Sequence, residues 1–127
     1  MNKGDVIPDE EILLRRVFAR DKKYIDLIGK PTSRAFTPRP KDDGKLSVDI
    51  KSLTTYAAAI RDEQRFALFT IHVAFAKSLG LNCIYDPLTL ITDGIDNIAH
   101  SLVIGIPTED ESISGLLARN STQQHPY

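Results

Sequence analysis

Phe66-Ala67-Leu68-Phe69-Thr70-Ile71-His72-Val73, followed by Ala74-Phe75-Ala76-Lys77-Ser78-Leu79-Gly80, is the stretch on which the fold turns. Its first half is rich in aromatic and β-branched side chains, which suit a pleated, half-buried surface and predict a buried strand. Its second half carries helix formers and stops at Gly80, the residue type that best tolerates the left-handed turn past a helix end. A strand followed by a helix makes the chain α+β. One continuous helix from Phe66 to Leu79 is the alternative, and hydrophobic periodicity does not exclude it.

Downstream, Asn82–Tyr85 reads as a short strand stopped by Asp86-Pro87, with a turn-rich stretch around Asp93-Gly94. His100-Ser101-Leu102-Val103-Ile104-Gly105-Ile106 has no charged residue and many β-branched ones. It predicts an interior strand with Leu102 and Ile104 buried. Thr108 with Glu111 forms a capping box for a last helix bearing Ile113, Leu116 and Leu117, and the tail from about 121 is expected to fray.

Upstream, Leu46-Ser47-Val48-Asp49-Ile50 alternates strictly and predicts a strand. Ser52 is positioned to cap a helix that carries Leu53, Tyr56, Ala57 and Ile60 on one face, through about Glu63. The prolines at 31, 38 and 40 rule out a long helix over residues 29–45. That segment reads as a mobile loop open to proteases, with a brief extended piece at Ser33–Thr37 and a closing turn at Asp42-Asp43-Gly44. Leu14–Phe18 alternates as a strand does. The acidic run Asp9-Glu10-Glu11 favours a first helical turn at Ile12-Leu13-Leu14, and both readings stay open. No regular βαβ alternation emerges, so the expected architecture is one compact α+β domain over residues 1–127. It would hold a small mixed sheet and two to four helices.

At 127 residues the chain is long enough to bury a core without disulfide or metal. Its one cysteine, Cys83, lies in the apolar run Leu81–Tyr85 and reads as a small buried hydrophobe in a reducing compartment. The polar start, Met1-Asn2-Lys3-Gly4-Asp5, offers no secretory-type segment, and a cytoplasmic location is expected. The net charge of −1 hides a split: residues 1–77 hold 15 of the 16 Lys and Arg, and residues 78–127 hold only Arg119 against six acids. Such asymmetry gives the folded chain an opportunity for a positive and a negative face.

Catalytic signatures are missing: no Gly-rich phosphate loop, no Gly-x-Ser-x-Gly, no His-Glu-x-x-His, no paired-cysteine spacing. His100, which opens an apolar strand after Asp93 and Asp96, has the place of a base or ligand; the structural reading is a histidine bonded to a loop carbonyl. His72 reads as a satisfied core histidine. Asp86, Asp93 and Asp96 lack the spacing of a calcium loop, so neither metal nor cofactor is expected. Lys30, Arg34, Arg39, Lys41 and Lys45, with Phe36 among them, are suited to hold phosphate or a single strand by charge and stacking. A sequence pI near 6.3 makes nucleic acid the less favoured partner. If residues 14–18 are a strand, Arg15 and Arg16 face opposite sides. The one turned inward then needs a partner, for which Asp49 is a candidate.

The ordered fragments Leu14-Arg15-Arg16-Val17, Ser33-Arg34-Ala35-Phe36, Leu46-Ser47-Val48-Asp49, Asp86-Pro87 and His100-Ser101 resemble a group of small bacterial proteins with no established activity. The likeness runs from about Val6 to Gly105. It implies a bacterial source and transfers no site residue. A looser similarity, to ADP-ribosyltransferase-like and related nicotinamide-dinucleotide-consuming folds, sets Arg16 and Ser47 in the places of an Arg on a first strand and a Ser on a later one. The late catalytic glutamate of that pattern has no counterpart here.

Two functions are therefore expected from the sequence. The first is a small accessory protein acting through a protein partner from the same operon, away from membranes, with Arg34, Arg39 and Lys41 as binding residues. The alternative is a small enzyme acting on a nucleotide, dinucleotide or nucleic acid through His100, Arg16 and Ser47.

Overall fold

The computed structural model describes residues 1–89 and 96–127. The Asp93-Gly94 turn lies outside these residues. Among the described residues, eight strands run in chain order as β1 (Ile12–Phe18), β2 (Lys45–Ile50), β3 (Phe66–His72), β4 (Asn82–Tyr85), β5 (Leu88–Thr89), β6 (Asp96–Asn97), β7 (His100–Ile104) and β8 (Gln123–Gln124). Three α-helices join them: α1 (Tyr56–Ile60), α2 (Val73–Ser78) and α3 (Ser112–Asn120). Six strands form one sheet in the order β4-β7-β2-β1-β3-β8, and β5 pairs with β6 in a small ribbon. Every strand pairing among the described residues is antiparallel, where a mixed sheet was expected. The chain is a single compact α+β domain, and none of its described helices is long and apolar enough to cross a membrane.

The deciding stretch resolves as strand then helix. Phe66–His72 pairs with β1 through seven residues, from Ile12↔His72 to Phe18↔Phe66. That long register also settles residues 12–18 as strand, because the ladder outweighs the weak local helix signal of Glu10 and Glu11. The chain turns directly into α2, and Gly80 follows it at φ +84°. His72 is exposed at the strand end, not held in the core. β7 is interior, flanked by β2 and β4. Its buried side chains, however, are Ser101 and Val103, while Leu102 and Ile104 are only half-buried. The expectation fails because an antiparallel sheet packs its two faces unequally, and absence of charge does not tell which face is which.

One face of the sheet carries the main core. There Leu13, Val17, Val48, Phe69, Ile71, Cys83 and Val103 meet Val73 and Ala76 of α2 and Leu117 and Ala118 of α3. On the other face Leu14 and Leu68 meet Ala59 and Ile60 of α1. Helix α1 is shorter than predicted and begins later: the Thr55 hydroxyl accepts from Ala58 N at 3.2 Å. Ser52 instead sits in a 3-10 turn and donates to Glu11 Oε2 at 2.8 Å. Helix α3 lacks the Thr108–Glu111 box; Asp110 Oδ1 accepts from Ser112 N at 2.8 Å and supports the first turn from one residue away.

Residues 29–45 differ most from expectation. Ser33–Phe36 is a 3-10 turn, not an extended piece, and Pro40–Asp42 is another. Three prolines leave few ladder donors, and tight i→i+3 turns satisfy the backbone locally. Ala35 and Phe36 are fully buried and pack with α3 residues Leu117 and Ala118 in the core, so the loop is pinned at its middle. Asp43 at φ +52° and Gly44 at φ +74° make the predicted turn into β2.

Both ends of the chain are tied down. Gly4, Asp5 and Ile7 exchange backbone hydrogen bonds of 2.8–2.9 Å with Cys83 and Tyr85, covering the outer edge of β4. The tail does not fray from 121: β8 pairs with Leu68 and Phe69, and the Tyr127 hydroxyl donates to Thr54 O at 3.0 Å.

Candidate functional site

The site originates in a mismatch between ladders. β1 follows β3 for seven pairs and β2 follows β7 for five, yet β1 and β2 pair only at Leu13↔Ile50 and Leu14↔Asp49. Beyond those two pairs the two central strands separate. Arg34, Thr37–Pro40 and Asp42 of the loop, with Thr108 and Glu111 just before α3, wall the gap, leaving a cleft of about 720 Å³. Its lining includes Arg15, Arg16 and Phe18 from β1, Lys45 and Ser47 from β2, Arg34 and Arg39 from the loop, and Tyr24 and Phe66.

Arg15 holds the gap. It sits two residues from Leu13 and from Val17, so alternation turns it toward the main core. Its Nε donates to Ala35 O at 2.9 Å and its Nη1 to Ser47 O at 3.0 Å. The guanidinium thus bridges a backbone ladder that the separated strands no longer make. Both acceptors are neutral, and Arg15 has no carboxylate partner among the described residues. Burial, with Arg16 next to it as a secondary cause, lowers its pKa to about 10. It remains a cation at neutral pH, at an energetic cost that an anion would relieve.

Arg16 faces the opposite side, with Leu14. Its Nη1 donates to Ala59 O at 3.0 Å, and its guanidinium lies 5.3 Å from the centre of the Phe66 ring. Burial lowers its pKa also. Asp49, the expected partner of an inward arginine, pairs with neither through a salt bridge: its Oδ1 accepts from Asn97 Nδ2 at 2.9 Å. Arg39 is held by Asp42, Nε to Oδ2 at 2.9 Å and Nη2 to Oδ1 at 3.3 Å. These bonds push the Asp42 carboxyl below its ordinary value. Arg34 and Lys45 have no ion pair among the described residues. The cleft therefore holds five cations against Asp42 and Glu111.

The residues singled out from sequence divide. Arg16, Ser47, Arg34 and Arg39 converge on the cleft; Lys41 and His100 are not among its lining residues. His100 is paired with Asp49 at the far end of β2, and its Nδ1 lies 2.8 Å from Asp86 O and 3.2 Å from Asp86 Oδ2. Both neighbours are acceptors, so Nδ1 carries the proton and the ring fixes the strand entry. The His100–Arg16–Ser47 set of the enzyme reading is thus not brought together. No group of three His, Cys, Asp or Glu suited to a metal occurs among the described residues. Cys83 is buried, and burial pushes its thiol up to about 11, the inert behaviour expected of it.

Sequence reasoning missed Phe18, Tyr24, Phe66, Thr108 and Glu111 as cleft residues. Strand alternation brought out Arg15 without its acceptors. Comparison with protein-family models, curated proteins and solved structures returns no match to this chain.

Proposed function

We propose that this protein is a small non-catalytic accessory protein that holds a phosphate-bearing anion in the cleft between β1 and β2. Arg15 carries the reading: a desolvated guanidinium with no carboxylate partner among the described residues, lining the cleft beside Arg34, Arg39 and Lys45. Arginine forks match phosphate oxygens two at a time, and a low-dielectric wall strengthens each such bond. Ser47 has no histidine or cysteine beside it in the cleft, so binding is better supported than group transfer.

Thermal melting with inorganic tripolyphosphate tests this. At a hundred times its Kd a ligand stabilises the folded state by about 2.7 kcal/mol. In a domain of this size that raises Tm by roughly 10 °C. Arg34→Gln and Arg39→Gln should each weaken the effect, and salt should weaken it throughout. An unchanged Tm at millimolar tripolyphosphate in low salt would overturn the proposal.

The partner expectation has separate support. Leu27 and Ile28 are 88% and 78% exposed at the tip of a turn in which Asp26 Oδ1 accepts from Ile28 N and Lys30 N at 3.0 and 2.9 Å. An exposed apolar tip with Lys30 in the same turn suits an apolar pocket with an acidic rim on another protein. Replacing both side chains by serine should abolish co-purification of that partner while leaving the tripolyphosphate shift intact.

A further inference from the structure

We infer that the anion is the phosphate end of a mononucleotide, a nucleoside di- or triphosphate whose base stacks on Phe18. This rests on the anion reading of the cleft and adds the identity of the ligand's other end. Phe18 closes β1 and is 47% exposed, although it is a large apolar side chain on the sheet. Its ring centre lies 5.1 Å from Phe66 and 6.3 Å from Tyr24, tilted 36° to each. Phe66 is already met by two guanidinium groups, Arg16 at 5.3 Å and Arg65 at 5.1 Å. Phe18 is therefore the aromatic surface left open, braced by its neighbours and backed by charge.

Arg15 and Phe18 line the same cleft from opposite faces of β1, Phe18 on the face that Arg16 shares, so a ligand that meets both lies in the opening where β1 and β2 part. A cleft of about 720 Å³ lies within the range that encloses a cofactor-sized molecule and exceeds what a free phosphate needs. Arg15, Arg16, Arg34, Arg39 and Lys45 against Asp42 and Glu111 leave a formal surplus of three positive charges at the lining, of the order that a di- or triphosphate carries. A single-stranded nucleic acid would instead want a long open basic groove, and the whole chain has a net charge of −1.

Isothermal titration of the intact chain with ADP, ATP, tripolyphosphate and a short oligothymidylate decides the matter. Nucleotide should bind at least tenfold more tightly than tripolyphosphate. Phe18→Ala should lose roughly ten- to a hundredfold in nucleotide affinity, with tripolyphosphate affinity unchanged, and Phe18→Trp should restore nucleotide binding. Unchanged tripolyphosphate binding also reports that Phe18→Ala is folded. Equal affinity for ATP and tripolyphosphate, with Phe18→Ala without effect, overturns the base inference and leaves the anion reading standing. Tight oligothymidylate binding without mononucleotide binding overturns it in favour of a strand. Failure of every anion, tripolyphosphate included, overturns both.

Discussion

Replacing Arg15 by methionine should stabilise the fold and disable the site together. Burial lowers the pKa of Arg15 from the ordinary arginine range to about 10, so its charged form is disfavoured. At 1.36 kcal/mol per pKa unit this bounds the penalty at about 3 kcal/mol. Methionine fills similar length without charge, but two carbonyls lose their donor. Ser47 O is at the surface, where water substitutes. Ala35 O is partly buried, and an unsatisfied acceptor there costs about 1–2 kcal/mol. The balance is a gain of about 1–2 kcal/mol, or roughly 3–8 °C in Tm. Because the folded pKa lies below the unfolded one, the folded state binds fewer protons only from about pH 10 up to the ordinary arginine range. The advantage of Arg15→Met should thus be constant through neutral pH and close as pH rises through that window. Thermal melts at several pH values, each with and without tripolyphosphate, measure both effects. A variant that melts several degrees lower and keeps its tripolyphosphate shift would show Arg15 to be a strut between strands and refute the reasoning.

Other expectations follow from the same geometry. Phe36→Ala should cost about 3–5 kcal/mol by chemical denaturation, because Phe36 is fully buried and pins the loop that walls the cleft; a loss under 1 kcal/mol would mean the loop is not anchored there. Cys83 should resist alkylation at pH 8 until the protein unfolds. Its thiol rises from 9.0 to about 11 on folding, so the stability this contributes is present below pH 9 and declines as pH rises through 11. His100→Ala should lose about 0.5–1.5 kcal/mol through its contacts with Asp86 and leave the tripolyphosphate titration unchanged, since His100 is outside the cleft. Loss of anion binding at unchanged Tm would reverse that assignment.

Local patterns made much of the sheet legible. Strict alternation at Leu46–Ile50, β-branched density at Phe66–His72 and the stop at Gly80 each carry their own physical cause within a few residues. What stayed hidden depends on pairing between distant segments. Whether residues 12–14 begin a helix or a strand is settled by β3, some fifty residues downstream. The buried side of β7 depends on which face receives α2 and α3, and an uncharged strand is silent about that. Arg34 and Arg39, singled out in the basic loop, do line the cleft. The cleft itself was not legible, because it exists only where β1 and β2 stop pairing after Leu14↔Asp49. Lys41 was drawn in by sequence proximity alone, and the 3-10 turn at Pro40–Asp42 leaves it exposed outside the lining. That Arg15 and Arg16 take opposite faces was readable; that Arg15 is the one turned inward, with carbonyls and not Asp49 as its partners, was not.

The proposed anion would bind between β1 and β2 on Arg39, which Asp42 holds, and on Arg15, Arg16 and Arg34, which have no salt bridge among the described residues. An NMR titration of isotope-labelled protein with tripolyphosphate, following backbone amides and arginine Nε–H groups, tests it most directly. The largest shifts should fall on Arg15, Arg16, Lys45–Ser47, Arg34 and Arg39, with the Arg15 Nε–H signal among the first to move. Shifts centred on Lys22, Lys23, Lys30 and Lys41, with Arg15 unmoved, would contradict it.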